Sequence, residues 1–98
     1  MSIDLKGYTA LITGGSSGMG FEMANELSAH GATVVIAARP GAKLNDACRR
    51  LRGEGRDVYA VPMDVRDEDS VSAAAEWFKE RFNRLDMLVN NAGIGNNA

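Results

Sequence analysis

Between residues 11 and 20 the chain reads LITGGSSGMG. Gly14, Gly18 and Gly20 stand in a G-x-x-x-G-x-G spacing directly after an apolar run, so a buried strand empties into nearly bare backbone. A helix starting there would offer unpaired N–H groups and the positive end of its dipole, which together make an anion site. Gly14 permits a sharp exit from the strand, Gly18 lets the backbone approach a pyrophosphate closely, and Gly20 lets helix pack tightly on strand. A glycine-rich turn that binds nothing would show the same spacing. A phosphate-loop NTPase is disfavoured, because no Lys-Ser/Thr follows the last glycine. Other reactive groups are sparse. One histidine and one cysteine leave no basis for a His/Cys zinc site. Asp67, Glu68 and Asp69 are consecutive, so on a helix they diverge and mark its start rather than a metal site. His30, beside Gly31, reads as a dipole-compatible surface residue and Cys48 as a packed small hydrophobe.

The elements that must position the glycines alternate along the chain. "YTALIT" (8–13) reads as a buried strand and "TVVIAA" (33–38) as a strand covered on both faces. "DVYAVPMDV" (57–65) reads as a third strand, with Pro62 near its end, and "DMLVNNAG" (86–93) as a fourth running into a turn. Between the first two, Gly20, Met23, Ala24 and Leu27 recur at helical spacing. Ser16 or Ser17 can cap that helix, and Gly31 takes the left-handed exit. Leu44, Ala47, Cys48 and Leu51 form a second helical stripe, stopped by Gly53 and Gly55. In the third helix Val71, Ala74, Ala75, Phe78 and Phe82 form the expected buried face. Trp77 lies off that face, and Asn83 is the expected left-handed exit. Acids 67–69 at its start and Arg81 and Arg84 at its end suit the helix dipole. The order β-α-β-α-β-α-β implies parallel strands, right-handed crossovers and an α/β sheet with helices on both faces. Ligands of such sheets sit outside the carboxyl ends of the strands, where the glycine loop, Arg39, Asp64 and "NNAG" all fall.

Size and composition bound the rest. Ninety-eight residues make one small domain. A net charge of −2 gives no electrostatic case for nucleic acid or an anionic membrane. The longest apolar run is far short of the roughly 20 residues a membrane span needs. The N-terminus lacks a basic-then-apolar signal, and the single Cys48 suits a reducing compartment, so the expected location is cytoplasmic.

"TGGSSGMG" (13–20), "DV" (64–65) and "RLDMLVNNAG" (84–93), in this order and strand context, resemble the classical branch of the short-chain dehydrogenase/reductase family over essentially the whole chain. The resemblance implies a Rossmann-type doubly wound parallel sheet, here with four strands in the order 3-2-1-4, cut from a seven-stranded family fold. It implies that Gly14, Gly18, Met19 and Gly20 line a cofactor pyrophosphate, Met19 through its backbone N–H. Ser16 and Ser17 would lie near the adenosine ribose and its phosphate. Asp64 would accept from the adenine amino group, with the Val65 backbone beside it, and Asn90, Ala92 and Gly93 would flank the ribose. A carboxylate suits an exocyclic amine donor, although an aspartate ending a strand is also an ordinary turn former. An NAD site usually carries an acid at the end of the second strand; Ala38 stands there, followed by Arg39. A guanidinium can pair with a 2′-phosphate bidentately, so NADP(H) is favoured over NAD(H), the competing reading being a solvated surface arginine.

Members of the family reduce carbonyls or oxidise alcohols by hydride transfer, using a Tyr followed four residues later by Lys. Here the residues four beyond Tyr8 and Tyr59 are Ile12 and Met63, so no catalytic residue is assigned. The resemblance predicts that residues 1–98 are the cofactor-binding half-domain of a longer, homo-oligomeric reductase of a small-molecule substrate, inactive alone, with the fourth strand an uncovered edge. A non-catalytic nucleotide-binding or regulatory module is the alternative. A sugar-nucleotide epimerase or dehydratase fits the loop spacing and "NNAG" less well.

Overall fold

The computed structural model describes residues 3–14 and 18–91. Its elements are β1 (Thr9–Thr13), α1 (Gly18–Ala29), β2 (Thr33–Ala38), α2 (Ala42–Gly53), β3 (Val58–Pro62), α3 (Glu68–Arg81) and β4 (Met87–Asn90). All strand pairs are parallel, and the sheet runs β3-β2-β1-β4 as expected. Thr13 pairs with Ala37 on one side and Asn90 on the other, so three strand ends lie level at the carboxyl edge.

Strand β2 explains the layering. Successive side chains of a strand point to opposite faces. Val34 and Ile36 belong to one core with Ile12, Ala24, Leu44, Cys48 and Leu51, under α1 and α2. Val35 and Ala37 belong to a second core with Val61, Met63, Ala74 and Phe78, under α3. A strand roofed on both sides has no polar face to keep, hence the unbroken "VVIAA".

Two helical faces differ from the expected ones. In α1 the sheet-facing stripe is Gly20, Ala24 and Ser28, an i, i+4, i+8 row of small residues that lets the helix lie close; Met23 is exposed and Leu27 half-buried. In α3 only Ala74 and Phe78 are buried, whereas Val71 and Ala75 face outward. The aromatic residues close this edge instead. Phe82 packs against Phe78 at 5.0 Å, edge-on to Tyr59 at 5.4 Å, and against Trp77 at 6.1 Å between centroids. Trp77 therefore covers a neighbour, and Arg81 lies 4.5 Å over its ring. Helix α3 ends in an extended Phe82 (φ −130°, ψ 138°) instead of a left-handed Asn83. Arg84 lies beyond the helix and binds Asp86. Gly31 does take the left-handed exit, at φ 101°.

The strands are shorter than the runs expected for them, because side chains take over at the ends. Asp57, expected in β3, accepts from the Thr33 hydroxyl at 2.7 Å. Asp86, expected in β4, accepts from the Thr9 amide at 2.8 Å. Leu88 of β4 is 59% exposed, on the outer strand of the described sheet.

Candidate functional site

The carboxyl edge of the sheet gathers most of the expected residues. Gly14 follows β1 with φ 70° and donates its N–H to the Ala37 carbonyl at 2.7 Å, so the chain turns while still tied to β2. Gly18 opens α1 at φ 61°, the left-handed region that side chains resist. A Cβ built on Gly18 would have no heavy atom of the described residues within 4 Å. The first turn of α1 holds no acidic side chain, so nothing there competes with an incoming anion for the helix N–H groups. Met19 is exposed and Gly20 buried, which matches a backbone-lined rim with a packed glycine behind it. Ser16 and Ser17 lie outside the described residues, as do Ala92 and Gly93.

Thr13 ties the glycine turn to the end of β4. Its hydroxyl donates to the Asn90 side-chain oxygen at 3.1 Å and accepts from the Asn91 amide at 2.9 Å. The Asn91 side chain donates to the Gly14 carbonyl at 3.2 Å. In the sequence Asn91 is part of "NNAG", but no contact of its own is expected for it there. Its role is to hold the two site-forming turns together across 77 residues of chain, a relation that no local spacing reveals.

On the other side, Arg39 follows β2 and is exposed, with no hydrogen bond or ion pair among the described residues. Asp64 follows β3. Its N–H donates to the Ser70 hydroxyl at 2.9 Å, and its carbonyl accepts from the Asp67 amide at 3.0 Å. Its carboxylate accepts from Arg66, and this bond, helped by the Arg66 backbone amide, holds its pKa below the usual carboxylate range. The Arg39 charge lowers it further, by a smaller amount. Val65, next to it, is exposed.

Comparison with known proteins is consistent throughout. A sequence profile of the short chain dehydrogenase family matches residues 8–98. Over 92 residues the chain is 46% identical to the short-chain dehydrogenase/reductase drtF of Aspergillus calidoustus, covering 92% of this chain and 29% of that protein. It is 43% identical to the 3-hydroxyacyl-CoA dehydrogenase type-2 of Drosophila melanogaster, covering 91% of this chain and 34% of that one. Among solved structures, L-sorbose reductase from Gluconobacter frateurii, complexed with NADPH and L-sorbose, superposes with a TM-score of 0.89 at 38% identity. That match covers all of this chain (100%) and 38% of that one. The Pseudomonas aeruginosa RhlG/NADP complex gives a TM-score of 0.85 at 41% identity, over 93% of this chain and 36% of that one. The chain thus spans about a third of the length of the relatives it matches.

Proposed function

The chain belongs to the short-chain dehydrogenase family, and on that premise we propose that it is the NADP(H)-binding part of an oxidoreductase acting on a carbonyl or alcohol. The observation that carries the proposal is the left-handed Gly18 at the acid-free mouth of α1, where a Cβ would project into open space. That cradle fits a diphosphate: Gly18 gives room, and the amides of Met19 and Gly20 give donors. Ser16 and Ser17 would approach the adenosine ribose and its phosphate, and Asn90, Ala92 and Gly93 its ribose. Asp64, ionised at neutral pH, would accept from the adenine amino group beside the Val65 backbone. The bound nicotinamide would supply or take up a hydride.

Arg39 supports the phosphorylated form of the cofactor. It stands one residue beyond Ala38, where an acid would repel a 2′-phosphate, and its guanidinium is free to pair with one. The NADPH and NADP complexes of the two structural relatives agree with that preference. The chain contains no Tyr-x-x-x-Lys, so its own residues bind and orient, and none is assigned to proton transfer.

Calorimetric titration of the intact protein with NADPH and NADH tests the reading. Arg39→Ala is expected to weaken NADPH about tenfold or more, the scale of a lost charge-assisted pair, and to leave NADH nearly unchanged. Equal losses for both would remove the NADP preference. If the intact protein took up neither dinucleotide, the cofactor role would be lost with it.

A further inference from the structure

We propose that Arg66 is a positioning residue for base recognition, holding the Asp64 carboxylate so that one acceptor site faces away from the protein's own donors and is kept for an adenine amino group. This rests on the reading of Asp64 as the adenine acceptor. Three contacts define the arrangement. The Arg66 backbone N–H donates to Asp64 Oδ1 at 3.0 Å, Arg66 Nε donates to the same oxygen at 3.2 Å, and Arg66 Nη2 donates to Oδ2 at 3.2 Å. An ionised carboxylate has about four lone-pair sites. Oδ1 is therefore filled, and one site on Oδ2 stays open. A forked guanidinium fixes the plane of the carboxylate in a way a lysine could not.

The backbone of Asp64 is held independently of that side chain, by Ser70 and by the turn to Asp67. What the Arg66 guanidinium controls is thus the carboxylate alone. An exposed ion pair of this kind adds little to folding stability, and the Arg66 side chain is 75% exposed. A loss of function on its removal is therefore separable from a loss of fold.

Titration of the intact protein with NADPH and with its hypoxanthine counterpart provides the test. The counterpart presents a carbonyl oxygen where adenine presents the amino group and an N1–H donor where adenine N1 is an acceptor; the rest of the ligand, 2′-phosphate included, is the same. Asp64→Asn should erase most of the preference for the adenine form. Arg66→Ala should lower that preference about three- to tenfold, the scale of one charge-assisted hydrogen bond partly lost, with an unchanged urea midpoint. In the Asp64→Asn background the second substitution should add nothing. If Asp64→Asn erases the preference and Arg66→Ala leaves it whole, the positioning role is overturned while the adenine reading stands. If Arg66→Ala weakens both dinucleotides equally, the residue acts as a general charge and the proposal is again overturned. If Asp64→Asn leaves the preference intact, the adenine reading itself fails, and the proposal with it.

Discussion

Glycines in the left-handed region do two different jobs in this chain. At Gly31 (φ 101°) an added Cβ would meet the Lys6 amide nitrogen at 3.3 Å, so the glycine serves close packing between α1 and the N-terminal segment. At Gly18 (φ 61°) the Cβ would meet no heavy atom of the described residues within 4 Å, so packing does not explain it; on the reading proposed above, the open space at the mouth of α1 is where the cofactor pyrophosphate would sit. Gly18→Val should cost about 1–2 kcal/mol of stability from the left-handed backbone alone. Dinucleotide affinity should fall well beyond that, because the side chain fills the approach to the helix amides. Gly7 is the control: it has φ 93° and open space as well, but lies away from the carboxyl edge. Gly7→Val should show a similar drop in urea midpoint with unchanged NADPH affinity. Retained affinity in Gly18→Val would remove the main support for the cofactor site.

Among the elements, α2 shows how a stripe read in one dimension becomes a core in three. Leu44, Ala47, Cys48 and Leu51 are all buried, and they meet Ile36 and Val58 of the sheet in the same cluster. Burial raises the Cys48 pKa, so the thiol sits there as a neutral hydrophobe. Leu51→Ala should lower stability by about 2–5 kcal/mol, the usual cost of a fully buried leucine, and urea unfolding followed by circular dichroism would measure it. A loss under about 1 kcal/mol would mean the site collapses around the gap. This helix and β2 are legible in the sequence because each has one dominant pattern, a single apolar stripe or an unbroken apolar run. Helix α3 is less so: five apolar positions compete for one face, and only Ala74 and Phe78 are buried in the helix. The glycine turn and Asp64 are legible as residue types at strand ends. The tie from Asn91 to Gly14 is not, since it spans the chain. Nor is the fork from Arg66 to Asp64, because in the sequence Arg66 is indistinguishable from any solvated arginine.

The whole molecule is held at the edge opposite the site by two aspartates, each just before a strand. Asp57 accepts from Thr33, closing β3 onto β2. Asp86 closes β4 onto β1: it accepts from the Thr9 amide at 2.8 Å, while its own amide donates to the Thr9 carbonyl at 2.9 Å. Arg84 Nε adds a third bond to it at 2.8 Å. The Arg84 bond first, and the Thr9 amide second, depress the Asp86 pKa in the folded chain. In that case the unfolded state binds the proton more readily, so Asp86 contributes stability above the unfolded carboxylate value of about 3.9. That contribution fades as pH falls through the folded value, which lies lower. Asp64 has a depressed pKa too, so the wild type alone would not isolate the effect. The difference between wild type and Asp86→Asn does. Urea midpoints should differ most at neutral pH and converge as the solution is acidified below about pH 4. The substitution should leave the carboxyl-edge geometry, and hence NADPH affinity at neutral pH, largely unaffected, because Asp86 sits at the far end of β1 from Gly14. Two midpoint curves that run parallel from about pH 7 to about pH 3 would show that the tie between β1 and β4 does not depend on the Asp86 charge.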